Sequence, residues 1–193
     1  MSKKKPTRVI ISGLGISGLI TAALLCKEKI KVECFEPSDI SKFCEDQRTT
    51  AFLKPAIDVF KKIGIWEKIE PISQPLKEME IIDAGNSKNE DIASVVFEPK
   101  EINIEYFGYN IPNNILRSEL LGLLKKNKNF VLNMGDSIVD HYAFDDNILV
   151  KTANGKKLEG ELLISCEGKD SPIRKREKIN TIQASYNQLA MVF

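Results

Sequence analysis

An uncharged run of eighteen residues at positions 9–26, VIISGLGISGLITAALLC, constrains this chain more than any other part of it. It follows a basic start, MSKKKPTR, and is compatible with a secretion signal, a membrane helix, or the first strand, turn and helix of a nucleotide-binding domain. A signal peptide needs small residues before its cleavage site, and Ala23-Leu24-Leu25 fits that need poorly. Three glycines in six positions would destabilise an isolated membrane helix.

The nucleotide-binding interpretation explains more of the pattern. Residues 8–12, RVIIS, are rich in β-branched residues and predict a buried strand, and residues 19–27 have the composition of a helix. Between them, GLGISG supplies three glycines: one for a tight turn, one for close approach of a pyrophosphate, and one for contact between helix and strand. The helix N-terminus would direct its amides at the phosphates. The predicted cofactor-binding residues of this loop are Gly13, Gly15, Ile16, Ser17 and Gly18.

A second predicted strand, residues 30–35, ends in Glu36, which follows Gly13 by 23 positions. A carboxylate there can accept hydrogen bonds from both ribose hydroxyls of an adenosine. With no adjacent Arg or Lys, the position disfavours a 2′-phosphate, so FAD and NAD remain as ligands. A buried strand, turn and helix that binds nothing is the alternative. Lys29 occupies a helix-ending position where glycine is common, which should cost about 1 kcal/mol.

The bulk composition excludes several classes of function. The 193 residues include 28 Lys and Arg and 27 Asp and Glu, and a net charge of +1 argues against nucleic acid as a partner. The four cysteines show no C-x-x-C spacing, so we predict free thiols in a reducing cytosol and no metal site. A single histidine, His141, leaves little room for a catalytic triad, and we predict no catalytic side chain.

Helical and β-like patterns alternate along the rest of the chain. Apolar residues recur at helical spacing over 56–63, with Asp46-Gln47-Arg48 before this helix and Gly64 after it. Short β-like runs follow between 76 and 99. A second helix is predicted over 113–127, with Asn113 or Asn114 as its cap and Arg117 in its first turn, where it could meet a phosphate.

The C-terminal third of the chain predicts short strands. FVLNM, NILVKTA and KLEGELLISCEG have the pattern of a small meander that returns to the parent sheet. The last residues, ASYNQLAMVF at 184–193, predict one more strand.

Three separated motifs carry a resemblance to a known family. They are residues 13–36; the sequence DQRTTA at 46–51, followed by IGIW at 63–66; and LLISCEGKDSPIR at 162–174. From position 9 onward the chain resembles the FAD-dependent aromatic hydroxylases, relatives of para-hydroxybenzoate hydroxylase. Within that family it is most similar to the polyprenyl-phenol hydroxylases of ubiquinone biosynthesis.

The resemblance implies further cofactor-binding residues. Arg48 and Arg117 correspond to flavin-facing arginines of two helices, and Asn113 lies near another flavin contact. Ile138 corresponds to a position where a family strand contacts the adenine through its backbone.

Two departures from the family pattern concern the C-terminal part. Glu167 and Gly168 fall on the family's D-G motif, which holds flavin and pyridine nucleotide, but Glu167 replaces the usual aspartate and moves the carboxylate by roughly an ångström. The family's later G-D motif, which binds the ribityl chain and pyrophosphate, has no counterpart after Arg174.

The fold implied by the resemblance is α/β. We expect a Rossmann-like FAD-binding domain, a three-layer βα fold with a β-meander, over residues 1–76 and 109–180. Residues 77–108 and 181–193 would form part of an inserted β-sheet substrate domain, and the C-terminal part of the family fold would be missing.

The implied function is that of the N-terminal, FAD-binding portion of a flavin-dependent monooxygenase. In the family, NAD(P)H reduces FAD transiently, and a flavin hydroperoxide formed with oxygen hydroxylates an electron-rich ring. The expected partners are an aromatic substrate such as a polyprenylated phenol, a second chain supplying the C-terminal half, and other quinone-biosynthesis proteins. The expected location is the cytoplasm, or the periphery of the inner membrane.

Two other functions stay open. A non-catalytic remnant or split-protein subunit would bind the ADP part of a dinucleotide without turnover. An NAD-binding Rossmann protein of unrelated chemistry is disfavoured by Arg48 and by the motif at 162–174.

Overall fold

A computed structural model of the chain describes residues 8–39, 45–83 and 93–190. The chain divides into two units, one formed by Met1–Arg48 and Asn113–Phe193 and the other by Thr49–Pro112. The smaller unit thus includes residues 49–76, which the sequence predicts to belong to the FAD-binding domain. The division into FAD-binding and substrate domains stays a prediction.

Twelve strands and five helices are formed by the described residues. The strands are β1 (Arg8–Ser12), β2 (Lys31–Glu36), β3 (Thr49–Leu53), β4 (Gln74–Pro75), β5 (Met79–Asp83), β6 (Ala93–Phe97), β7 (Gly108–Pro112), β8 (Phe130–Met134), β9 (Ile138–Ala143), β10 (Ile148–Thr152), β11 (Lys157–Gly160) and β12 (Leu162–Ser165). The helices are α1 (Ile16–Lys27), α2 (Lys54–Ile63), α3 (Trp66–Ile69), α4 (Asn113–Lys125) and α5 (Pro172–Arg176). Short 3₁₀ turns cover Glu70–Ile72 and Pro99–Ile102.

A four-stranded parallel sheet forms the centre of the larger unit, in the order β12-β1-β2-β8. Strand β1 is buried from Val9 to Ser12, as its β-branched composition predicts. Helix α1 connects β1 to β2 and packs beside α4. The carboxyl ends of β1, β2 and β12 therefore meet at one edge of the sheet, where such folds bind ligands. The predicted α/β fold with a parallel sheet is confirmed.

Helix α1 ends as the sequence predicts. Lys29 has a φ of 62°, the left-handed conformation that glycine adopts more easily. This strain is far in the chain from the glycine turn that begins the helix.

An antiparallel meander, ordered β11-β10-β9, completes the larger unit. Its apolar residues form one core with the parallel sheet, because Ile138, Val150 and Leu158 are buried in the same cluster as Ile10 and Phe35. Helix α5 attaches to β9 through Arg176, whose guanidinium lies 2.6 Å from Asp140 and donates to the carbonyl of Val139 at 2.7 Å.

The smaller unit contains a three-stranded sheet, ordered β3-β7-β4, a separate hairpin of β5 and β6, and helix α2. The predicted helix over 56–63 is confirmed, and Gly64 ends it with a φ of 81°. Arg48 precedes this helix, as predicted, but residues 49–53 between them form strand β3, which the sequence pattern did not indicate. The β-branched pair Thr49-Thr50 favours extended backbone, and antiparallel pairing with β7 stabilises it.

The predicted strand over 184–193 is wrong for the residues described. Residues 184–190 are irregular, and Leu189 is fully exposed, whereas residues 191–193 lie outside the described part. Within residues 8–39, 45–83 and 93–190, no helix has the length and apolar character needed to cross a membrane.

Candidate nucleotide-binding site

Two glycines of the turn after β1 are required by the protein itself. Gly13 has a φ of 92°, and a Cβ on it would lie 2.5 Å from the carbonyl oxygen of Cys166. A Cβ on Gly18 would lie 2.2 Å from the carbonyl oxygen of Gly13. These contacts agree with the predicted roles of a tight turn and of close packing between helix and strand.

Gly15 has no such requirement within the protein. Its backbone, with φ −56° and ψ 177°, is accessible to any residue, and no heavy atom of the described residues lies within 4 Å of a Cβ placed there. The space in front of Gly15 is therefore open. A group that closely approaches the backbone from this side would need glycine, as a pyrophosphate does in dinucleotide-binding turns.

The N-terminus of α1 faces the same turn. Ile16 and Ser17 begin the helix, and Gly15 precedes it as the N-cap residue without a side-chain cap. The first amides of a helix have no acceptor within it, and residues 16–19 include no acidic side chain that would neutralise the helix dipole. The helix end is thus suited to bind an anion.

Glu36 is held at the end of β2 by backbone amides. Its Oε2 accepts from the amide of Leu14 at 2.8 Å, and its Oε1 accepts from the amide of Ser38 at 3.0 Å. The residue is 9% exposed. Because each carboxylate oxygen can accept more than one hydrogen bond, both can also accept from a ribose. The contact with Leu14 fixes the carboxylate beside the glycine turn.

Ile138 lies close to the end of β2 along the backbone. The amide of Asp136, two residues earlier, donates to the carbonyl of Glu36 at 3.3 Å. The Ile138 side chain is buried in the core, so only its backbone remains for a ligand. The predicted adenine contact through the backbone stays a prediction.

Three other predicted residues converge on Asp46, to which the sequence assigns no role. Arg48 donates to its two oxygens at 2.7 and 2.9 Å, and Asn113 donates to Oδ2 at 3.2 Å. Arg117 lies 3.6 Å from the same oxygen. The D-x-R motif at 46–48 is the feature of the sequence that could have indicated a role for Asp46. We call Asp46, Arg48, Asn113 and Arg117 the Asp46 cluster.

The Asp46 cluster presents positive charge to solvent. The Arg48 side chain is 72% exposed, whereas that of Asp46 is 11% exposed. The hydrogen bonds from Arg48 hold the pKa of the Asp46 carboxyl well below its usual range, with a further contribution from Asn113. With Asp46 ionised, two guanidiniums and one carboxylate leave a net charge of about +1.

Replacing Asp46 by asparagine should give a pH-dependent loss of stability. Since the folded-state pKa is depressed, the carboxylate stabilises the fold above its unfolded pKa of about 4, and this contribution is lost as the pH falls toward the folded pKa. We expect the difference in unfolding free energy between wild type and Asp46→Asn to be constant from about pH 5 to 8 and to shrink below about pH 4.

Urea unfolding at several pH values measures this difference. The control is Asp145→Asn, in an exposed turn. A difference that stays the same down to about pH 3 would contradict the prediction.

Glu167 and Gly168 follow β12 at the same sheet edge as the glycine turn. The Glu167 carboxylate accepts from Ser12 at 2.6 Å and from Ser171 at 2.5 Å. Gly168 has a φ of 81°, and its carbonyl accepts from Arg174 at 3.2 Å. The sequence predicts cofactor contact for both residues. The structure shows that Glu167 is hydrogen-bonded to other parts of the protein.

The predicted residues thus form two groups. The glycine turn, Glu36 and Glu167 surround the carboxyl ends of β1, β2 and β12, and the Asp46 cluster includes the start of α4, which packs beside α1. The open backbone at Gly15 and the buried acid at Glu36 fit the diphosphate and the ribose of a dinucleotide such as FAD.

Comparison with known proteins agrees with this geometry. Residues 6–192 match a family described as the FAD binding domain. The chain belongs to this FAD-binding family. The predicted resemblance is confirmed at this level.

Two curated relatives are ubiquinone-pathway enzymes. The chain is 23% identical to 3-demethoxyubiquinol 3-hydroxylase of Escherichia coli, with 97% of this chain and 48% of the relative aligned. It is 26% identical to the mitochondrial ubiquinone biosynthesis monooxygenase COQ6 of Dictyostelium discoideum, over 86% of this chain and 35% of the relative. The FAD-binding chain therefore spans less than half of each of these relatives.

Solved structures share the fold. One is p-nitrophenol 4-monooxygenase PnpA of Pseudomonas putida, with a TM-score of 0.69 at 18% identity, covering 87% of this chain and 42% of that one. A variant of PqsL from Pseudomonas aeruginosa gives a TM-score of 0.74 at 22% identity, covering 93% of this chain and 48% of that one.

Proposed function

We propose that this chain is the FAD-binding portion of a flavin-dependent monooxygenase that hydroxylates an aromatic ring in ubiquinone biosynthesis. The observation that carries the proposal is the open backbone at Gly15, beside a buried Glu36 and an uncapped helix N-terminus. The family match and the names of the relatives support the reaction class and the pathway.

The proposed role of this chain is binding and orientation. The amides at the start of α1 hold the diphosphate, and Glu36 accepts hydrogen bonds from the adenosine ribose. Arg48 and Arg117 supply positive charge toward the flavin end. When bound, FAD supplies the redox chemistry, with NAD(P)H as the proposed electron donor. The chain's side chains then need to exclude water and orient the cofactor, without acting as nucleophiles.

The hairpin of β5 and β6 supports the proposal that further polypeptide completes the substrate domain. Its pairing places Met79 opposite Phe97 and Ile81 opposite Val95, so these four side chains share one face. Each is at least 37% exposed, and an isolated two-stranded hairpin is marginally stable in water. We propose that this face is covered by polypeptide equivalent to the part of the relatives that this chain does not span.

The exposed face of the β5–β6 hairpin also favours a second candidate function. If the polypeptide that covers this face belongs to a separate chain, the present chain is a subunit that binds the ADP part of FAD and has no turnover alone. The aromatic substrate, and any other protein of quinone biosynthesis, would then bind only to the complete assembly.

Titration with ADP and with FAD, followed by calorimetry and visible absorption, tests the proposal. We expect the purified chain to bind ADP, because the open backbone at Gly15, the N-terminus of α1 and the Glu36 carboxylate are all present in it. Visible absorption that shows one equivalent of bound FAD supports the proposal that this chain is the FAD-binding portion of a monooxygenase. The subunit alternative predicts that the chain binds ADP but loses FAD, and with it the yellow colour, during purification. It also predicts that adding the missing polypeptide restores FAD binding. Absence of ADP and FAD binding at about 1 mM, a free energy weaker than roughly −4 kcal/mol, would contradict both.

A further inference from the structure

Four donors from separate parts of the chain converge on Glu167. Its Oε1 accepts from the hydroxyl of Ser12 at 2.6 Å. Its Oε2 accepts from the hydroxyls of Ser165 at 3.2 Å and Ser171 at 2.5 Å, and from the amide of Ile173 at 3.1 Å. We call Ser12, Ser165, Glu167 and Ser171 the Glu167 cluster.

The Glu167 cluster lies directly behind the glycine turn. Ser12 is the last residue of β1 and pairs with Ser165 of β12, and Gly13 follows it. The amide of Cys166 donates to the carbonyl of Ser12 at 2.7 Å. Glu167 is therefore joined by hydrogen bonds to the strand end from which the turn begins.

The cluster also fixes the segment after β12. Ser171 is the N-cap of α5, and its hydroxyl accepts from the amide of Arg174 at 3.1 Å while it donates to Glu167. The carboxylate thus joins β1, β12 and α5. Burial opposes its ionisation, but the hydrogen bonds from Ser12, Ser171, Ile173 and Ser165 together lower the pKa of the Glu167 carboxyl.

We propose that Glu167 is a positioning residue, which fixes the ends of β1 and β12 behind the glycine turn and makes no contact with the bound dinucleotide. This inference rests on the proposed function for its effect on nucleotide affinity. It assigns to Ser12, Ser165 and Ser171 a role in the site that no pattern in the sequence indicated.

Side-chain length is decisive in this cluster. The two carboxylate oxygens contact donors on opposite sides, Ser12 on one and Ser171 with Ile173 on the other. Aspartate is shorter by one methylene, which moves the carboxylate by roughly an ångström, so it would lose hydrogen bonds on at least one of these sides. Glutamine keeps the length, and its amide group can accept on one side and donate to the Ser12 hydroxyl on the other.

The variants Glu167→Asp and Glu167→Gln therefore distinguish positioning from ligand contact. For positioning, we expect Glu167→Asp to weaken ADP binding about tenfold and Glu167→Gln only about threefold, in line with the loss of one or two hydrogen bonds. If the Glu167 charge instead acted directly on the bound nucleotide, Glu167→Gln would weaken ADP binding more than Glu167→Asp, because aspartate keeps the charge. The control Glu177→Gln removes an exposed carboxylate that contacts His141 and should leave ADP affinity unchanged.

A readout without ligand separates this inference from the proposed function. Hydrogen–deuterium exchange of the peptide covering residues 9–18 should become faster in Glu167→Asp than in Glu167→Gln. Failure of the wild type to bind ADP would contradict the proposed function alone, since exchange still tests the cluster. Equal exchange, or faster exchange in Glu167→Gln, would overturn the positioning role. If Glu167→Asp does not fold, Ser12→Ala removes one donor and should weaken ADP binding about threefold; unchanged affinity and exchange would overturn the inference.

Discussion

Replacing Gly15 by alanine is expected to weaken ADP binding about a hundredfold, equivalent to roughly 2.7 kcal/mol, while the fold keeps its stability within about 1 kcal/mol. Within the part of the chain that the structure describes, the added methyl group would meet no heavy atom within 4 Å. The backbone at Gly15 has φ −56° and ψ 177°, which alanine adopts without strain. The methyl group would therefore obstruct only a ligand that approaches the backbone as closely as a diphosphate does.

The matched control is Gly18→Ala, in the same turn. Its methyl group would lie 2.2 Å from the carbonyl oxygen of Gly13, so helix α1 and strand β1 would have to separate. We expect a loss of about 3 kcal/mol in unfolding free energy. Calorimetry with ADP and thermal unfolding give the two readouts. A Gly15→Ala protein that binds ADP like the wild type would show that the open space is not a diphosphate site.

The first strand, turn and helix can be predicted from the sequence because local effects determine them. The β-branched residues at 8–12 favour a buried strand, and the φ of 92° at Gly13 excludes almost every other residue. The left-handed conformation of Lys29 follows from the same local geometry at the helix end. The residue types that favour these elements lie within one βα unit, although Gly13 also contacts Cys166 from the distant strand end.

The two polar clusters cannot be predicted in this way. Ser12 and Glu167 are 155 positions apart, and Asn113 and Asp46 are 67 apart. Serine and asparagine can form hydrogen bonds with backbone, side chain or water, so residue type does not identify the partner. The resemblance located Arg48, Asn113 and Arg117, but only the folded chain shows that one carboxylate holds all three.

The two differences between predicted and observed strands, at residues 49–53 and 184–190, also depend on contacts between distant parts of the chain. Residues 49–53 form a strand because β7 lies beside them and pairs along their full length. Residues 184–190 have a comparable apolar content but form no strand ladder among the described residues. Composition indicates the propensity of a segment for extended backbone, whereas pairing depends on a partner strand, and that partner is often far away in sequence.

Replacing Glu36 by glutamine should remove the site's discrimination for the ribose 2′-hydroxyl. In the wild type we expect 2′-deoxy-ADP to bind about thirtyfold more weakly than ADP, since a hydrogen bond to a charged acceptor contributes about 2 kcal/mol. In Glu36→Gln, ADP binding should fall toward the affinity of the deoxy nucleotide, and the ratio between the two ligands should approach one.

The ratio separates ligand contact from a structural effect at the same residue. Glutamine cannot accept from both the Leu14 and Ser38 amides as Glu36 does, so the variant should also lose about 1–3 kcal/mol of stability. A distorted turn would weaken both nucleotides together and leave their ratio near the wild-type value, as we expect for Gly15→Ala. If Glu36→Gln still prefers ADP about thirtyfold, the carboxylate acts on the turn and not on the sugar. A ratio near one in the variant, beside a large ratio in the wild type, is the result that requires Glu36 to hold the ribose.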